Sequence, residues 1–178
     1  MEAKALSNEE IEKEFRRLKE DANIVYLAEF KANTIQELFN GTNHVVIFVS
    51  TTDKYNGHWQ LLMRNPQEIL FFDSYGHNFS KLLIDVFKVY GENAFNQTFR
   101  LGELIVESDI PTFMNTKQYQ SKDSRIETCG YHVLCCFAVF LSMPEEFTFE
   151  IYNKFMDNYK QKNNLKSYDD VAVMVTRI

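Results

Sequence analysis

GHWQLLMRNPQEILFFDSYG, residues Gly57 to Gly76, is the stretch on which the reading of this chain turns. Two apolar runs, His58 to Arg64 and Glu68 to Asp73, flank Asn65-Pro66. Proline presets φ and asparagine bonds its own backbone, so the pair favours a turn and the stretch predicts a β-hairpin. With Asn65 and Pro66 at the tip, cross-strand partners are residues whose numbers sum to 131, which sets His58 opposite Asp73. A carboxylate across from an imidazole orients the ring and fixes its tautomer, as the second half of a nucleophile–base–orienter set requires.

Outward from the hairpin, Val45-Val46-Ile47-Phe48-Val49 is a continuous run and predicts a strand buried on both faces. Ser7 and Glu10 form a capping box ahead of Ile11, Phe15, Leu18 and Ala22, which share one helical face. Thr34 and Glu37 cap a short helix, Ile35 to Phe39, which Gly41 stops. Phe79, Leu82, Leu83, Val86, Phe87 and Tyr90 predict a helix that Gly91 ends. Residues 95–113 follow neither period cleanly, with a strand read at Leu104-Ile105-Val106. Gly130 to Met143 is apolar almost all round and predicts a buried central helix stopped by Pro144. Phe147 to Tyr159 is amphipathic, and Tyr168 to Ile178 favours helix with Ser167 and Asp170 as its cap. The fold class is α+β: a small central mixed sheet flanked by helices. With 178 residues and no repeat, low-complexity tract or linker, residues 1–178 are read as a single domain.

The net charge of −6 argues against a dedicated nucleic-acid binder. No apolar run reaches transmembrane length, and the start MEAKALSNEEIEKEF is charged and helical rather than a signal peptide. The expectation is therefore a soluble, non-secreted chain without a membrane partner. The three cysteines, 129, 135 and 136, fall within one predicted helix and cannot form a disulfide framework; no CxxC or HxxxH pair suggests a metal.

Thr128-Cys129-Gly130-Tyr131-His132 places a thiol where that helix begins. The unpaired N–H groups and positive dipole end of a helix stabilise a thiolate, the nucleophilic form. Gly130 lets a substrate backbone approach the sulfur. The Cys129 N–H supplies one oxyanion donor, and Gln120 or Gln118, in the approach segment, a second. Cys135 and Cys136 fall mid-helix and read as core. His132 reads as a packed or capping histidine, His44 and His77 have no carboxylate at a suitable spacing, and Asp53 lies in a solvated loop.

These motifs, Gly57-His58-Trp59, Phe71-Phe72-Asp73-Ser74-Tyr75-Gly76, Tyr119-Gln120-Ser121 and Cys129-Gly130-Tyr131-His132, resemble the adenain-like and ubiquitin-like-protein-protease superfamily of cysteine proteases. Their style is similar to proteases of virophages, Polinton-type elements and large DNA viruses, and they span residues 57–143. The resemblance implies a papain-like, adenain-like fold with His58 as general base, Asp73 as orienter and Cys129 as nucleophile. It makes Gln120 the oxyanion donor and Trp59 a wall of a narrow groove for small residues. The family's glutamine usually stands about six residues before the cysteine, whereas Gln120 is nine before and Gln118 eleven. The implied task is processing of capsid or other virion proteins at a Gly-containing site, in the virion and host cytoplasm, as a monomer without metal or cofactor. The same resemblance covers deconjugation of ubiquitin-like modifiers and, on the same fold, protein acetylation.

Overall fold

The computed structural model describes residues 4–29, 31–50, 57–77, 79–123 and 127–176. Asp53 and Ile178 lie outside them, as do the side chains of Phe79, Leu82, Val86 and Tyr90 in the predicted helical face. The chain groups into two compact units: Asn23–Asp73 with His77–Thr116, and Met1–Ala22 with Ser74–Gly76 and Lys117–Ile178. Each is assembled from separated segments, so no linker or composition shift along the sequence announces the division.

The first unit holds an open five-stranded mixed sheet, in the order β1 (Ile24–Tyr26), β2 (His44–Ser50), β3 (Gly57–Arg64), β4 (Ile69–Phe72), β5 (Thr112–Met114). The outer pairs are parallel and the two inner pairs antiparallel. All of β2 is buried.

The hairpin forms, but its register corrects the expectation. Leu61 pairs with Phe72 and Arg64 with Ile69, so partner numbers sum to 133. The loop is four residues, Asn65 to Glu68, closed by the Asn65 N–H on the Glu68 carbonyl at 3.2 Å. The Asn65 carboxamide oxygen also accepts the Gln67 and Glu68 N–H groups, at 2.9 and 3.0 Å. An asparagine that satisfies two following amides stabilises a wider turn than Asn-Pro at the tip. The change shifts every partner by two residues and leaves each side chain on its expected face.

Val45, Ile47 and Val49 pack with Leu62, Ile69 and Phe71, with Ile35, Leu38 and Phe39 of α2 (Ile35–Phe39), and with Leu101, Leu104 and Ile105 of α3 (Phe79–Glu107). The Thr34 hydroxyl accepts the Glu37 N–H at 3.2 Å. Asn40, at φ 46°, makes the left-handed exit from α2 one residue ahead of Gly41. Gly91, at φ 83° and ψ −173°, is non-helical and divides 79–107 into two helices, so the first ends there as expected. The strand read at Leu104-Ile105-Val106 is therefore overturned. Leu101, Leu104 and Ile105 recur at helical spacing and enter the core, while Val106 is 79% exposed.

The second unit is helical: α1 (Asn8–Arg17), α4 (Cys129–Ser142), α5 (Phe149–Lys162) and α6 (Tyr168–Thr176). The Ser7–Glu10 box closes in both directions, at 3.3 and 2.8 Å. Ile11 and Phe15 are buried, and Phe15 stacks on Phe137 at 4.7 Å. Thr148 caps α5 through the Ile151 N–H, and Phe147 just outside meets Tyr152 at 6.3 Å, a hydrophobic staple. Ser167 and Asp170 cap α6 reciprocally, at 3.0 and 3.1 Å, which sets Val171, Ala172 and Val173 into the core. Among the described residues no helix is long and apolar enough to cross a membrane.

Candidate active site

Asp73 is fully buried at the end of β4, where a carboxylate is tolerated only if donors replace water. One step beyond the last ladder pair it falls opposite Gln60, whose Nε2 donates to Asp73 Oδ2 at 2.9 Å. His58 is two residues along β3 on the same face, and its Nε2 meets the same oxygen at 3.0 Å. The expected His58–Asp73 pair is thus present as a diagonal contact rather than a directly opposed one. With Nε2 donating to the carboxylate, Nδ1 is the basic nitrogen of the neutral ring.

Asn115, just past β5, fixes the backbone beneath this pair. Its Oδ1 accepts the Asp73 N–H at 2.8 Å and its Nδ2 donates to the Asp73 carbonyl at 2.7 Å. A buried side-chain amide here takes the place of the next pair of ladder bonds. Sequence reasoning missed Gln60 and Asn115. A lone amide in an otherwise apolar strand, two residues from the histidine, was the available signal for Gln60. Asn115 left no comparable sign.

Trp59 leaves β3 on the face opposite His58, because successive strand residues alternate. It is 4% exposed and its ring lies 4.6 Å from that of Phe48, its partner across the sheet. The structure gives it a packing role and does not bring its side chain together with His58.

In the helical unit, the residues after Asp73 organise the approach to the thiol. The Ser74 carbonyl accepts the N–H groups of Tyr119 and Gln120, at 2.9 and 3.0 Å. The Ser74 hydroxyl donates to Gln120 Oε1 at 2.7 Å, which fixes the end of the amide that carries the oxygen. Gly76, at φ 68°, lies so close to the Lys117 backbone that a β-carbon would stand 2.6 Å from its carbonyl. Only glycine suits that turn. Between the two candidate amides the structure buries Gln120, whereas Gln118 is exposed and donates its own Nε2 to the Gln120 carbonyl at 2.8 Å.

Cys129 is the first residue of α4 and is 8% exposed. Thr128 stands at the N-cap but does not cap: its hydroxyl donates to Asp169 instead. Gly130 makes room for Leu6, since a β-carbon there would lie 3.0 Å from that of Leu6. The expectation was room for a substrate backbone; the neighbour present is this chain's own side chain. Burial pushes the Cys135 thiol up to about 12 and pushes Cys136 up as well. Both are core residues, as their mid-helix position implied.

Asp169, on α6, gathers the segment around the thiol. Its Oδ2 accepts the Ser121 N–H at 3.1 Å, and its Oδ1 accepts the Thr128 hydroxyl and His132 Nε2, the latter at 3.0 Å. Burial by itself would raise this carboxyl, but the bonds from His132 and Thr128 outweigh it and hold Asp169 below the usual range. His132, fully buried, is the packed histidine its position suggested. His44 is buried with Nδ1 at 2.9 Å from Asn43 Oδ1.

Compared with known proteins, the chain matches no family model and no curated sequence.

Proposed function

We propose that this chain is a cysteine endopeptidase of adenain-like, papain-like fold. The observation that carries the reading is the buried Asp73 holding His58 Nε2 at 3.0 Å, in a chain that also opens a buried helix with Cys129. His58 Nδ1 takes the Cys129 proton, and the thiolate attacks a peptide carbonyl carbon. The oxyanion accepts hydrogen bonds from the Cys129 N–H and Gln120 Nε2. The imidazolium then protonates the leaving amine, and a thioester to Sγ remains. Water, deprotonated by His58, attacks the thioester, releases the carboxylate product and regenerates the thiol. Asp73 keeps the ring in one tautomer throughout and stays ionised.

Base and nucleophile belong to different units of the chain, so the reading requires that imidazole and thiol meet in the reaction. The substrates that fit the resemblance are capsid or other virion proteins, cut beside glycine. The experiment is incubation with a peptide library in reducing buffer, with new termini identified by mass spectrometry. The wild-type protein should generate termini next to glycine and Cys129→Ala none. Cleavage that survives in Cys129→Ala, or none by the wild type, overturns the proposal.

A further inference from the structure

We infer that Asp169 is a positioning residue for the reacting thiol and its oxyanion donor, an inference that rests on Cys129 being the nucleophile. Ser121 immediately follows Gln120, and Thr128 immediately precedes Cys129. A single carboxylate holds both: the Ser121 N–H on Oδ2 at 3.1 Å, and the Thr128 hydroxyl on Oδ1. The same Oδ1 also meets His132 Nε2 at 3.0 Å, and the His132 N–H closes the first turn of α4 on the Thr128 carbonyl at 3.0 Å. The residue after the amide, the residue before the thiol and the first turn of the helix are thus referred to one point.

That point is itself fixed. Asp169 is 7% exposed and sits in the first turn of α6, between the Ser167–Asp170 cap and the buried run Val171, Ala172, Val173. An anionic acceptor fits this place because the Ser121 N–H can only donate and the Thr128 hydroxyl donates here, while a carboxylate only accepts. Using the Thr128 hydroxyl here also diverts it from capping α4, so the N–H groups of the first turn keep their pull on an anion at Cys129. Asp169 touches no reacting atom in this scheme. It sets the distance between the donor and the nucleophile.

Loosening that one point in a variant gives the test. The experiment compares wild type, Asp169→Asn, Thr128→Val and Thr128→Ser, each checked for folding by circular dichroism. Iodoacetamide alkylation of Cys129, located by mass spectrometry, is followed against pH. Where the library yields a cleaved peptide, kcat and KM are measured on it. Asp169→Asn should raise the rate of Cys129 alkylation by about threefold at each pH, since the segment that buries the thiol is no longer held at one point. It should also lower kcat by about 100-fold, the scale of a misplacement near 1 Å, with KM little changed. Thr128→Val should lose kcat, and Thr128→Ser, which restores the hydroxyl, should recover it. If folded Asp169→Asn keeps the wild-type alkylation rate and kcat, or if Thr128→Ser fares no better than Thr128→Val, Asp169 is a structural strut and the inference is wrong. Alkylation reads the thiol without any substrate, so a failed peptidase reading and a failed Asp169 inference give different results.

Discussion

Each unit buries one histidine–aspartate pair, and both have Nε2 at 3.0 Å from a carboxylate oxygen. The surroundings separate them. The Asp73 carboxylate takes side chains, His58 and Gln60, on one oxygen, and its backbone is pinned by Asn115. Asp169 instead collects a backbone N–H and a hydroxyl from either end of one segment, with His132 added. The His58 side chain keeps 9% of its surface exposed and that of His132 none. A histidine–carboxylate distance therefore identifies neither role. On the proposed reading, the groups that share the carboxylate and the exposure left to the ring mark His58 as the base and His132 as a brace.

The comparison breaks most sharply on removal of the two rings. His58→Ala should lose about 10³- to 10⁴-fold in peptide cleavage, the scale of a lost general base, and about 1–2 kcal/mol of stability as Asp73 keeps only the Gln60 donor. His132→Ala should instead destabilise the fold by about 3 kcal/mol in urea titration, from a core cavity and a carboxylate stripped of a donor. Should His58→Ala unfold readily while His132→Ala only loses activity, the two assignments would be exchanged. Asn115→Ala comes next. It removes both bonds to the Asp73 backbone, and should lower kcat by about 100-fold while the Cys129 thiol still alkylates. Gln60→Leu sharpens the same contrast more gently, by about tenfold in kcat, since one neutral donor to Asp73 is lost and His58 remains.

The smallest effect is on acid stability. Folding depresses the Asp169 carboxyl, so its contribution is fully present above the carboxyl's unfolded value near 4 and fades as pH falls through its lower folded value. Asp169→Asn should flatten the stability profile below about pH 4, as read by thermal melts at each pH. An unchanged profile would show that the three donors do not favour the ionised form.

How much of this the sequence carried depends on the range over which each feature is decided. Capping boxes at Ser7–Glu10 and Ser167–Asp170 involve residues three apart and are legible from local pattern alone. So was the alternation that set His58 and Asp73 on one face. Their exact pairing was not, because it hung on whether Asn65 sits at a two-residue tip or opens a four-residue loop. Leu104-Ile105-Val106 misled because three aliphatic neighbours satisfy a strand locally, while the helical partner that decides the matter, Leu101, lies outside the triplet. The edge strands Ile24–Tyr26 and Thr112–Met114 are three residues each and pair in parallel with distant segments, too short for any period to register. Asp169 acts 41 and 48 residues from Thr128 and Ser121, and no pattern along the chain joins them.

The placement of the three thiols has a consequence for oxidants. With Cys135 pushed up to about 12, only about one thiol in 10⁴ there is ionised at pH 8, and burial keeps peroxide from it. Cys129 lies six and seven residues ahead of Cys135 and Cys136 on the same helix, about 9 Å or more along its axis. A sulfenic acid formed at Cys129 has no resolving thiol within reach along that helix and must wait for a soluble reductant. On the proposed reading, peroxide should then silence the protein through Cys129 alone, leaving it folded and, until the sulfinic stage, recoverable with dithiothreitol.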